Sequence, residues 1–152
     1  ITGALTAHAL INEGYDVLLL DKRDIGQGST AATTSMLQYE IDVPLYQLSE
    51  MIGEENAAKA YHAGIAALNN LDQLIAQTKI NCSYEAKQSI YMAHHKKAIP
   101  DLHKEFRIRE KHQMDVAWLN DNELAANYGL VAPGPFFLNT LPVLMRMPWH
   151  MN

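Results

Sequence analysis

The sequence predicts an α/β fold that opens on half of a dinucleotide-binding unit. Three stretches carry this reading. A small-residue turn, Thr2-Gly3-Ala4, leads into a helical pattern that stops at Gly14. A continuously apolar run, Val17 to Leu20, follows and ends on the carboxylate of Asp21. A long Ala-rich segment, from about Glu54 to Gln77, has apolar residues at three- and four-residue spacing. A glycine at a helix start followed by an acid about 20 residues later is half of a dinucleotide fingerprint. The strand and the earlier glycines of that fingerprint do not stand before Ile1.

Residues 3–13 read as the first helix. Leu5, Ala9 and Leu10 share its inward face, and Gly14 suits a left-handed C-terminal position. Val17-Leu18-Leu19-Leu20 has the unbroken apolar texture of a buried parallel strand. Residues 24–35, DIGQGSTAATTS, form a loop whose small side chains let a backbone approach a ligand closely. Met36 to Ile41 places Leu37, Tyr39 and Ile41 on one face of a candidate strand. Pro44 starts a short helix with Leu45, Leu48 and Ile52 as its stripe, ended by Gly53.

Ala57, Ala60, Tyr61, Gly64, Leu68, Leu71 and Ile75 mark the packed face of the long helix. Beyond Thr78 strands and helices alternate. Ser89 to Ala93 and Val116 to Leu119 read as strands, and residues 96–111 as an amphipathic helix carrying Leu102, Phe106 and Ile108. Asn120 or Asp121 caps a helix over 123–127 that stops at Tyr128-Gly129. Three regions follow: a nucleotide-binding part with the long helix over 1–80, the start of a second domain over 81–133, and an atypical tail over 134–152. The tail holds three prolines, three methionines and no acid, and neither helical nor strand period runs through it. A one-base shift of reading frame is one account of that change; sequencing the encoding DNA in all three frames tests it.

The 152 residues are 48% hydrophobic and 19% charged, enough chain for a domain with a core. A net charge of −5 without a basic stripe argues against a nucleic-acid partner. No apolar run reaches the roughly 18–20 residues needed to span a bilayer. Cys82 is the single cysteine, so no internal disulfide can form, which fits a reducing, cytoplasmic compartment. The seven histidines read as surface groups rather than metal ligands. His94 and His95 are neighbours pointing to opposite faces of an extended chain, and His103 and His112 lack partners at zinc-site spacing. No metal site is expected.

Gly3 would let its helix pack closely and aim free N–H groups at a pyrophosphate. Asp21 would accept hydrogen bonds from adenosine ribose hydroxyls and repel a 2′-phosphate. Taken singly, each residue is as well explained by an ordinary helix start and a surface acid.

Taken together, they resemble a family. ITGALTAHAL, GYDVLLLDKRD and IGQGSTAATTSMLQYEID are similar to the N-terminal region of FAD-dependent oxidoreductases of the glycine/D-amino-acid oxidase type. The resemblance runs over residues 1 to about 133, with its specific motifs in 1–42. It implies a partial Rossmann-like FAD-binding domain, a helical insertion, and the start of a mixed α+β substrate domain. FAD is the implied cofactor. Thr2 and Gly3 would lie at the pyrophosphate, Asp21 on the ribose with Lys22 nearby, and Gly28, Ser29 and Thr30 along the FAD. The implied reaction oxidises a small-molecule amine or amino acid by hydride transfer to flavin N5; no residue is assigned a catalytic role. Asp21 departs modestly from the Glu usual in that place. Because the first strand and Gly-x-Gly are absent, the chain is expected to be a fragment that binds FAD weakly or not at all and is inactive alone. Two other readings stand beside it. Asp21 would serve an NAD-dependent dehydrogenase equally well, and residues 44–112 could form a non-catalytic helical interaction domain.

Overall fold

A computed structural model describes residues 1–24, 26–34, 36–82, 84–93, 95–130 and 136–139. The chain divides into two compact units, Ile1–Thr34 and Ser35–Asn152.

In the first unit α1 spans Thr2–Asn12 and Gly14 follows at φ +84°. The left-handed value explains the glycine, since side chains are rarely tolerated there. Residues 15–20 then carry no regular secondary structure, so the parallel strand expected at Val17–Leu20 is not formed. A strand is defined by a hydrogen-bonded neighbour, and among the described residues this segment has none. Leu18 and Leu20 are accordingly 81% and 80% exposed. After a turn, Gly28–Ala32 forms a 3₁₀ helix within what reads as loop.

The second unit has two packed regions. Its helices are α2 (Leu45–Ile52) and α3 (Glu54–Thr78), separated only by Gly53 at φ +86°, and α4 (Ile99–Lys111). Glu54 and Glu55 occupy the first turn of α3, where acids oppose the positive end of the helix dipole. Arg109 and Lys111 sit in the last turn of α4. Leu45, Ala57 and Tyr61 form a core with Tyr39 and Met114, flanked by Leu48, Ile65, Leu68 and Ile108. Of the small residues on the packed face of α3, Ala57 is buried and Ala60 and Gly64 half-buried. Leu68 of that face is part of this core packing.

Gly64 allows a close approach to backbone. A Cβ there would lie 2.9 Å from the Tyr39 carbonyl oxygen and 3.3 Å from its Cα. In an exposed helix Gly→Ala stabilises by about 1 kcal/mol. Here the obstacle is backbone, so Gly64→Ala is expected to reverse that sign and cost about 1–2 kcal/mol net. An urea midpoint at or above that of the unaltered protein would show that Tyr39 can yield.

The sheet is antiparallel, in the order β1-β3-β2, with β1 at Ser89–Met92, β2 at Val116–Leu119 and β3 at Phe136–Asn139. The central strand lies in the stretch where no period was legible. Tyr91 and Trp118 stand opposite Phe137, and Ile90 and Ala117 opposite Leu138. Alternation sends the two sets to opposite faces. Phe137 packs with Leu102 and Phe106 of α4. Leu138 packs with Leu119 and with Leu124 of α5 (Asp121–Tyr128). The sheet is thus covered on one face by α4 and on the other by α5. A capping box fixes the start of α5: Glu123 N–H donates to Asn120 Oδ1 and Asn120 N–H to Glu123 Oε2.

Met36–Ile41, the other candidate strand, makes no ladder among its described residues. Side-chain bonds from Tyr39 and Glu40 hold it instead. Residues 140–152 of the atypical tail, where most of the frame-shift account falls, lie outside the described residues. So does His94.

Candidate functional site

The residues expected to hold a nucleotide all belong to the first unit. Thr2 and Gly3 are the first residues of α1, and no side chain caps that helix start. Among the described residues its first N–H groups have no side-chain acceptor, and the helix dipole favours an anion at such a place. Gly3 packs toward the 15–20 segment: a Cβ on it would meet Leu19 Cδ1 at 3.5 Å, ordinary contact. The glycine therefore permits packing here without being sterically required.

Asp21 is exposed at the end of that segment, and its Oδ1 accepts the Arg23 backbone N–H at 3.0 Å. This Asx-type bond fixes the carboxylate against the turn through Oδ1. Gly28 has φ +88°, a conformation that favours glycine. The Arg23 guanidinium lies against it, with Nη2 2.9 Å from where a Cβ would be. Ser29 is exposed and Thr30 half-buried within the same 3₁₀ turn. Asp21, Lys22, Arg23, Asp24 and Gln27 line an open depression of about 670 Å³.

The structure thus joins the acid at 21 to the turn at 28 through Arg23, which was not singled out from the sequence. Its only sequence signal was membership of the charged run Asp21-Lys22-Arg23-Asp24, a pattern equally natural for a solvated loop.

A second constellation lies in the other unit and has a different character. Arg109 is 1% exposed. Its Nε and Nη2 reach Glu105 Oε1 at 2.7 and 2.6 Å. Its Nη1 donates to the Tyr39 hydroxyl at 3.1 Å and to Glu40 at 3.4 Å, and its Nη2 to the Tyr91 hydroxyl at 3.2 Å. The rings of Tyr39, Tyr61, Tyr91 and Phe137 surround the guanidinium, the Tyr91 centroid at 4.5 Å. Asn139 closes the cluster: its amide donates to Glu40 at 2.7 Å and its oxygen accepts the Tyr39 hydroxyl at 3.1 Å. Glu105 also accepts the Leu45 and Tyr46 backbone N–H groups, both at 3.0 Å. A side chain of α4 therefore caps α2, whose own N-terminal residue, Pro44, has no capping group.

Burial pushes the Tyr91 phenol up to about 12, and the Tyr39 and Tyr61 phenols higher still. These hydroxyls stay protonated at neutral pH. Burial by itself opposes the Arg109 charge, but Tyr39, Glu105 and Tyr91 outweigh it and raise its pKa. Such a cluster is suited to holding chain segments together and not to moving protons at neutral pH.

The histidines have local roles. His95 Nδ1 accepts the Ala98 N–H, His103 stacks on Trp118 at 4.3 Å, and His112 meets Glu54 at 2.7 Å. Lys111, with His112 second, holds the exposed Glu54 carboxyl below its usual range. Among the described residues no three His, Cys, Asp or Glu side chains converge to hold a metal, and no helix is long and apolar enough to cross a membrane.

A sequence model described as FAD dependent oxidoreductase (DAO) matches residues 1–139. The chain belongs to this family. The match extends past residue 133 and includes β3, so Phe136–Asn139 is part of the family's sequence pattern and not only of the tail. A Bacillus subtilis (strain 168) protein assigned as a Rieske 2Fe-2S iron-sulfur protein, YhfW, is 24% identical over 105 residues. Those residues are 69% of this chain and 21% of that protein, so the chain spans about a fifth of this relative's length. No solved structure matches the chain.

Proposed function

We propose that the chain supplies adenine-side contacts for FAD in an oxidoreductase that oxidises an amine or amino acid. One observation carries the reading beyond family membership. The uncapped start of α1, the Asp21 carboxylate and the glycine turn at 28 occur in one compact unit. These residues fit the cofactor's chemistry. Thr2 and Gly3 offer N–H groups to a pyrophosphate, Asp21 offers acceptor oxygens to ribose hydroxyls, and Lys22 lies beside it. Gly28, Ser29 and Thr30 line the cofactor with small side chains. FAD, when bound, supplies the acceptor for the substrate's hydride, and the protein's task is binding and orientation. On this reading residues 1–80 are the nucleotide-binding part and 81–133 begin the substrate domain. Family membership favours this assignment over a nicotinamide dehydrogenase and over a helical interaction module.

The test is the visible spectrum of the purified full-length protein, where a flavin band near about 450 nm is expected. Asp21→Ala is expected to weaken FAD binding about tenfold, because a charge-assisted hydrogen bond to ribose is lost. A colourless protein that does not take up FAD would sink the reading; unchanged affinity in Asp21→Ala would remove only the ribose role.

The relative named for a Rieske centre favours a second reading, about where electrons go next. A Rieske cluster takes two Cys and two His. The 152 residues hold one cysteine, so they cannot supply that ligand set. The similarity therefore supports an iron–sulfur centre as acceptor outside these residues and not within them. Anaerobic reoxidation of the substrate-reduced full-length protein tests this. Fast oxidation by a one-electron iron–sulfur acceptor and slow oxidation by oxygen is the expected result; the reverse order would exclude it.

A further inference from the structure

A small pocket in the second unit is not used by the flavin reading and stands independently of it. It measures about 210 Å³ and opens between β1, the start of α2 and the first half of α4. Pro44, Met92, Ala93, Ala98 and Leu102 give it an apolar wall. Glu105, Tyr46, Tyr91 and Asp101 complete the wall.

Three properties of that wall bear on what it would take. First, it is held in place. Glu105, with a side chain 4% exposed, is fixed by two backbone N–H groups and Arg109, and Tyr91 by Arg109 and by stacking on Phe137 at 4.6 Å. A wall already ordered loses little freedom when a ligand arrives. Second, Glu105 retains acceptor capacity. Oε1 is filled by Leu45 N–H and two Arg109 nitrogens, whereas Oε2 holds the Tyr46 N–H. A carboxylate oxygen accepts two hydrogen bonds. Third, the buried cluster behind the wall has two carboxylates, Glu40 and Glu105, for one guanidinium. The lining contains acids and no Lys, Arg or His, and Asp101 is paired with Lys104.

We propose that this pocket, framed by Glu105, Tyr91 and the apolar residues of α4 and β1, binds a small organic amine without a carboxylate. Its ammonium would donate to Glu105 between Tyr46 and Tyr91, and its apolar body would lie on Leu102 and Met92. The size suits one ring with a short arm, since a cavity of roughly 150 Å³ already accommodates benzene. The lining residues offer a carboxylate only acids, Asp101 paired with Lys104 and Glu105 with Arg109; the Lys104 ammonium also lies 5.5 Å over the Tyr46 ring. The site therefore discriminates against amino acids, in contrast to a site built for both ends of such a ligand.

Benzylamine is the probe, titrated into the full-length protein at neutral pH by calorimetry or ligand-observed NMR. Saturable binding is expected in the millimolar range or tighter, with benzoate and phenylalanine weaker by about tenfold or more. Ala98→Phe fills the pocket, and it is expected to weaken benzylamine by about tenfold. That variant also separates this pocket from any amine bound elsewhere in the protein. Circular dichroism and the thermal midpoint verify that it folds. Absence of saturable binding, equal binding of benzoate, or benzylamine binding indifferent to Ala98→Phe would each overturn the proposal.

Discussion

Arg109→Ala is expected to destabilise the second unit by about 3–5 kcal/mol, the usual cost of removing one partner of a buried ion pair. The arrangement explains why the cost falls at the upper end. The guanidinium is shared by Glu105, Glu40, Tyr39 and Tyr91, so its loss leaves two buried carboxylates without their cation. Glu105 would then cap α2 alone, as an uncompensated charge. Arg109→Lys should fall between, keeping the charge but not the planar fork that reaches four partners at once. Urea denaturation of the three proteins measures the series. A loss below about 1 kcal/mol for the Ala variant would mean that the cluster is solvated and behaves as an ordinary surface network.

Phe137→Ala is expected to cost about 3–5 kcal/mol, the range for a large aromatic removed from a packed core. Phe137 is fully buried at the centre of the three-stranded sheet. It stacks on Tyr91 at 4.6 Å and meets Phe106 at 5.8 Å. Phe137→Leu, which preserves most of the volume, should lose less than half as much. The two sites share Tyr91, however, and the Arg109 guanidinium lies 5.4 Å from the Phe137 ring. The double variant should therefore lose less than the sum of the single losses, by about 0.5–3 kcal/mol of coupling. Strict additivity in the double-mutant cycle would show that the ring and the cation act separately.

The helices were legible because each has a period and punctuation. Gly14, Gly53 and Gly129 mark helix ends, and all have positive φ. The Ala-rich face of α3 pointed to close packing, and Gly64 against Tyr39 is where it occurs. The strands at 89–92 and 116–119 were legible from short β-favouring runs. Phe136–Asn139 was not, because three apolar residues and an asparagine among prolines and methionines present neither period. Val17–Leu20 shows the opposite error. An apolar run has the composition of a strand, but a strand also needs a neighbour, and composition is silent about neighbours.

Much the same holds for the candidate site. Gly3, Asp21 and Gly28 could be picked out because each residue type answers a local geometric demand. Arg23 could not, because its contact with Gly28 depends on how an irregular turn folds back. The Arg109 cluster was wholly hidden. Its members are drawn from positions 39, 40, 91, 105, 109 and 139, and only Glu105 and Arg109 share a helical spacing.

The place of β3 in the sheet also sets an order of events. The outer strands end at residues 92 and 119, yet neither pairs with the other, and both wait for a central strand that begins at 136. Tyr39 and Glu40 wait longer still, since Asn139 reaches them across about a hundred residues of chain. During synthesis at roughly 5–20 residues per second, β1 would be exposed for seconds before its partner is made. The second unit should therefore fold late and cooperatively, through contacts distant in sequence. A nascent chain halted before Phe136 would have made every helix described in the unit and still lack the central strand that joins β1 to β2.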